Sequence, residues 1–123
     1  MQKFFVLLFI LLASSPALAK GGWHCRNTIE VACTATVCEA AKEFTPKDIH
    51  VGAGKFEVCA YSGCWQSKAQ LRNIAGFAVI AAKNLKFSTG ATKAAIAITI
   101  DTRDGIGTIK VDGYAEPLNC VRE

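Results

Sequence analysis

The chain has 123 residues, 51% of them hydrophobic and 20% charged, with six cysteines and a formal net charge of +4. That is enough for one domain of ordinary size and too little for a (β/α)8 barrel or a two-half dinucleotide-binding fold. The abundance of Val, Ile, Phe and Ala at modest net charge excludes intrinsic disorder.

The first element is a targeting segment. Lys3 precedes an apolar run over 4–13 (FFVLLFILLA), Ser14, Ser15 and Pro16 break it, and Ala17-Leu18-Ala19 supplies small residues at a cleavage site. This three-part layout predicts a signal peptide over 1–19 and a single mature β domain over 20–123. A ten-residue apolar run spans about 15 Å as a helix, roughly half a bilayer core, so it reads as a leader and not an anchor. Lys20 follows the site, so lipid attachment through a new N-terminal Cys is not indicated. No later run is long enough to span a bilayer; in the longest, 76–82, Ala is the commonest residue. The mature chain is therefore expected to be periplasmic or extracellular, with no membrane span. Its charges are scattered singly, which argues against a nucleic-acid face. The chain holds no N-x-[ST] acceptor, in keeping with a bacterial envelope protein.

All six cysteines lie beyond the leader: Cys25, Cys33, Cys38, Cys59, Cys64 and Cys120. An even number in a short exported chain reads as a disulfide framework. Cys25 shares a strand face with Trp23 near one end of the mature chain, and Cys120 shares one with Leu118 near the other. Both face inward, and a bridge between them would close nearly the whole domain. Cys33-x4-Cys38 and Cys59-x4-Cys64 repeat one spacing in similar contexts, as two hairpin ends of one design would. In 55–60, Phe56 and Val58 share one face and Glu57 and Cys59 the other. After the turn, Trp65 takes the first face and Cys64 the second. With Phe56, Val58 and Trp65 inward, Cys59 and Cys64 meet on the outer face around a loop of residues 60–63. The expected bridges are Cys25–Cys120, Cys33–Cys38 and Cys59–Cys64, with pairings that cross the two repeats as the rival.

Further along, 37–44 (VCEAAKEF) holds good helix formers and has room for one or two helical turns before Pro46. Turn signals at 52–54, Ser62-Gly63, 88–90, 103–105 and Asp112-Gly113 separate β-rich runs at 55–60, 64–70, 94–101, 106–111 and 114–121. Ile96, Ile98 and Ile100 alternate with Ala95, Ala97 and Thr99. Asp112-Gly113 predicts a two-residue hairpin with both turn residues at positive φ. Pro117 predicts a last strand that is short, at an edge or bulged. The stretch 70–87 has two readings. Leu71, Ile74, Ala75, Ala78, Ala82 and Leu85 share a helical face, while Phe77, Val79 and Ala81 alternate as a strand. The strand is preferred, because it adds a hairpin to a meander. The expected fold is all-β, with room for one short helix: an antiparallel meander of about seven or eight strands, curved or closed into a small disulfide-stapled barrel.

Chemistry-bearing patterns are sparse. Ser62 lies outside any G-x-S-x-G elbow, and a Ser62–His50–Asp48 triad is disfavoured. Asp101-x-x-Asp104-Gly105 lacks the other ligands of a calcium loop and reads as a turn. His24 and His50 read as surface or hydrogen-bonded structural side chains, and no metal or other cofactor is expected. The most distinctive patch is Tyr61, Ser62 and Trp65, an aromatic loop pinned by a disulfide and suited to anchoring a partner. A curved sheet could also enclose an apolar ligand among Phe56, Val58, Phe77, Val79, Ile96, Ile98 and Ile100, although small barrels usually fill their interiors. These features lead to an expected monomeric, non-enzymatic binding module of the bacterial envelope for a protein, glycan or small apolar ligand. The alternatives are a structural or stress-related envelope protein without a discrete site and, behind it, a small hydrolase. An apolar cavity would favour the small ligand, and a cleft with hydrogen-bonded, pKa-shifted Asp, Glu or His would reopen catalysis.

Overall fold

The computed structural model describes residues 22–52, 54–90 and 93–123. The expected signal peptide over 1–19 lies outside them. Period-2 alternation of apolar and polar side chains runs through most of the chain and produces eleven described strands: β1 (Trp23–Asn27), β2 (Val31–Cys33), β3 (Cys38–Ala40), β4 (Asp48–Gly52), β5 (Lys55–Ala60), β6 (Gly63–Lys68), β7 (Arg72–Ile74), β8 (Phe77–Lys86), β9 (Lys93–Asp101), β10 (Ile106–Val111) and β11 (Tyr114–Arg122). Every pairing is antiparallel, in the order β6-β5-β4-β1-β11-β10-β9-β8-β7, with the β2–β3 hairpin attached to the start of β11. The all-β antiparallel expectation holds, with more strands than anticipated.

The sheet curls into a half-barrel. Its core comes from the inward residues of each strand, including Ile49, Val51, Phe56, Val58, Ile80, Ile96, Ile98, Ile100, Ile109 and Leu118. The curl brings the β6 edge to the end of β8. There Ser88 N donates to Cys64 O at 3.0 Å, Cys64 N donates to Ser88 Oγ at 2.9 Å, and the Trp65 and Phe87 rings meet at 4.5 Å. Gly63 lies on this seam because a Cβ there would fall 2.3 Å from Ser88 Oγ.

All three expected bridges are formed: Cys25–Cys120, Cys33–Cys38 and Cys59–Cys64. Each joins residues directly opposed in an antiparallel register, with Cα atoms 4.0–4.1 Å apart. Cys25 and Cys120 are buried, and Cys59 and Cys64 face outward, as their parity requires. Six paired cysteines are consistent with an oxidising, exported environment. Among the described residues no helix is long and apolar enough to cross a membrane.

Several local expectations are corrected. Residues 37–44 form no helix. Cys38 is held opposite Cys33, Ala41 N donates to Glu30 O, and this pairing overrides helix propensity. Ala60 and Gly63 are a strand pair, so the loop between them shrinks to Tyr61-Ser62. In the β10–β11 turn Asp112 has φ of 49°, whereas Gly113 stays outside the left-handed region. Phe77 and Val79 point outward, and Ala78 and Ile80 take the inner positions. The terminal strand β11 is neither short nor at the sheet edge, for it lies between β1 and β10. Pro117 is accommodated by a local gap. Cys120 N donates toward β10, to Gly105 O, so alternation turns the Pro117 nitrogen to the opposite side. On that side β1 pairing stops at Leu118 and β2 pairing begins at Ala115, so the missing N–H interrupts no ladder. The Asp101–Gly105 stretch is a turn, as read: Asp101 accepts from Arg103 Nη2 at 2.8 Å and Arg103 N at 2.9 Å, which brings its carboxyl down to about 2.

Candidate functional site

The outer face of β1, β4 and β5 gathers the chemistry that the sequence left dispersed. On a strand, residues two apart share a face, so His24 and Arg26 of β1 lie with Asp48 and His50 of β4. The register sets His24 opposite His50 and Arg26 opposite Asp48. Because Cys120 N bonds toward β10, Cys25–Cys120 is a non-hydrogen-bonded pair with respect to β1 and β11. Alternation then makes His24–His50 a non-hydrogen-bonded pair between β1 and β4, the type in which opposed side chains come closest. Their rings stack in parallel, centroids 4.3 Å apart and planes within 5°.

Both imidazoles turn to one carboxylate. His24 Nε2 is 2.5 Å from Asp48 Oδ1, and His50 Nε2 is 3.2 Å from Asp48 Oδ2. The other ring nitrogen of His50, Nδ1, lies 2.6 Å from Glu123 Oε1, so a fourth side chain from beyond β11 fixes that ring. Arg26 Nε stands 3.7 Å from Asp48 Oδ1. The hydrogen bond from His24, aided by both imidazoles, holds the Asp48 carboxyl below its usual range against a modest desolvation penalty. Burial opposes charge on His50, but Glu123 and Asp48 outweigh it and hold the imidazole above the usual histidine range. The group is open to solvent, with side-chain exposures of 24% for His24, 51% for Asp48 and 43% for His50.

Two clefts flank this cluster. One, of about 490 Å³, includes His50, Lys55, Glu57, Gln66, Lys68 and Glu123 in its wall. The other, of about 370 Å³, includes Arg26, Phe44, Pro46, Asp48 and Tyr61. The Asp48–His50 ridge therefore borders both. Tyr61 is 80% exposed on the turn that Cys59–Cys64 pins.

The expected patch divides. Tyr61 and Ser62 form the tip of the β5–β6 turn, but Trp65 turns to the inner face, packing on the core and Phe87, with its indole Nε1 buried and unpartnered. Asp48 and His50 do meet, as the triad would require, yet among the described residues no hydrogen bond joins Ser62 to His50. The clefts with hydrogen-bonded, pKa-shifted groups lie on the outer surface and have mixed polar walls, and the inner face is packed with side chains. The four-residue cluster was not legible as a unit in sequence. Its members stand at 24, 48, 50 and 123, and only a register linking both chain ends to β4 unites them. The available signal was the shared parity of Asp48 and His50. No protein-family model, curated protein or solved structure matches the chain.

Proposed function

We propose that this is an exported, disulfide-stapled binding module of the bacterial envelope, periplasmic or extracellular, that takes a protein or glycan partner without transforming it. The outer face of β1, β4 and β5 is the binding surface. One observation carries the reading: two clefts meet at the Asp48–His50 ridge, and Tyr61 stands 80% exposed at the edge of one of them, on a cross-linked turn. A rigid, exposed aromatic loses little conformational freedom on binding and offers both apolar area and a hydroxyl. Arg26, Lys55, Lys68, Glu57 and Asp48 along the same face supply charges of both signs, which suit a polar polymer better than a small apolar ligand. The filled inner face points the same way.

The test is capture from envelope extract by the immobilised, oxidised protein, followed by identification of bound protein and glycan. Tyr61→Ala should lower recovery of the partner about tenfold or more, the scale of an anchoring aromatic. Phe77→Ala, an exposed aromatic on β8, should leave recovery unchanged. Equal recovery with wild type and Tyr61→Ala refutes the reading.

A further inference from the structure

We propose that His24, Asp48 and His50 form a surface site for one borderline divalent transition-metal ion, zinc or a first-row neighbour. The site stands independently of the partner reading, since it needs only this chain and the ion. One ring nitrogen of each histidine and an Asp48 oxygen lie within 4.8 Å of one another, and both Nε2 atoms already contact the Asp48 carboxylate. Metal–ligand bonds of about 2.0–2.2 Å gather such atoms around one ion once the two stacked rings tilt out of parallel, because an ion lies near the plane of each imidazole that binds it. Two imidazoles and one carboxylate are a donor set that zinc and copper favour over magnesium or calcium, which prefer all-oxygen shells.

Three further features point to an ion instead of a chance surface cluster. The first is placement. His24 and His50 are a cross-strand pair of the closely spaced kind, His24 on β1, which the buried Cys25–Cys120 bridge ties to β11, and His50 on β4, which is paired on both sides by β1 and β5. Both ligand-bearing backbones are therefore rigid. The second is orientation. Metal-bound histidines characteristically give their other ring N–H to a carboxylate, which sets the tautomer and the ring angle. Glu123 Oε1, 2.6 Å from His50 Nδ1, stands where that acceptor belongs and leaves Nε2 as the ligand atom. The third is access. The three side chains are partly exposed, leaving one coordination position for water or for a group on a partner. Arg26 opposes the ion, because its guanidinium lies 3.7 Å from the same carboxylate and must swing away when the ion binds.

Zinc sulfate titrated into the intact, oxidised protein, followed by calorimetry, should show one zinc bound per chain. His24→Gln and His50→Gln should each weaken binding by well over tenfold. Glu123→Gln, which touches His50 only through Nδ1, should weaken it by about tenfold through ring orientation. Arg26→Ala should tighten it. No binding up to about 1 mM zinc, a free energy near −4 kcal/mol, overturns the proposal, as does unchanged affinity in either histidine variant. Imidazole nitrogen spectra of the wild type provide a readout that does not rely on variants folding. Zinc must shift Nε2 of both histidines, and unmoved resonances at saturating zinc overturn the site.

Discussion

Lys47 Nζ lies 2.5 Å from Glu116 Oε1 and 3.3 Å from Glu30 Oε2, with Lys47 and Glu116 both buried. Asn27 completes the group by accepting from Lys47 N at 2.7 Å and donating to Thr45 O at 3.0 Å. Together these side chains clamp the segment before β4 onto β1 and β11. Burial raises the Glu116 carboxyl above its ordinary range; Lys47 works against that, and the neighbouring Glu30 adds to it. A carboxyl raised in the folded state favours folding below its unfolded pKa, and that contribution is lost as pH rises toward the folded value. Lys47→Met removes the cation and leaves the buried carboxylate uncompensated, at a cost of about 3–5 kcal/mol near pH 7. The variant's Glu116 would rise further, so its deficit should shrink as pH falls toward 4. Urea unfolding of both proteins across that range checks this, and a deficit that does not change with pH would contradict it. None of this network was legible in sequence. Glu116 sits next to Pro117 in a strand that reads as ordinary alternation, and its partners stand 69 and 89 positions away. A shorter but still long-range separation, 24 positions between His24 and Asp48, hid the histidine cluster in the same way.

Strand β8 explains why its sequence carried two readings. Ala78 and Ile80 point inward, and then Leu85 does, so the buried parity changes from even to odd. The register shows the cause: Ala82 pairs with Ile96 and Leu85 with Ala94, so β8 has one residue more than β9. This is a β-bulge, with Asn84 in the left-handed region at φ of 58°. A strand that changes parity places its apolar residues at mixed spacings of two, three and four, which a helical template also matches. The preference for a strand was right because the neighbouring hairpins were legible, through Asp112-Gly113 and the Ile96–Ile100 alternation. The bulge itself was not, since Asn alone does not announce a left-handed residue. Bulges also bend strands, and this one lies where the sheet curls toward β6. Asn84→Gly should therefore leave the urea midpoint unchanged or slightly raised. Asn84→Val should lose about 1–2 kcal/mol, because a β-branched side chain resists positive φ. Similar stability for the two variants would show that the bulge does not depend on this conformation.

The two ends of the described chain form the middle of the sheet. β1 lies between β4 and β11, and β11 lies between β1 and β10, so the whole half-barrel hinges on a junction that closes last in sequence order. Cys25–Cys120 crosses it in the core, and Arg122 covers the Trp23 ring at 4.5 Å. This much was legible from the cysteines at the two ends and their shared inward parity. The place of closure was not. The first and last strands meet inside the sheet, and the free edges meet elsewhere, at Cys64 and Ser88. Because a cross-link acts largely by restricting the unfolded chain, the bridge spanning 95 positions should contribute far more than either spanning five. The Cys25→Ala/Cys120→Ala pair should lower stability by about 4–5 kcal/mol, and Cys33→Ala/Cys38→Ala by about 2. Urea unfolding of the two double variants, compared with oxidised wild type, measures the ratio. Equal losses would mean that the long bridge does not restrain the unfolded ensemble. The sheet would then depend on the β1–β11 hydrogen bonds and the inward Leu118 and Ile49 contacts to hold its ends together.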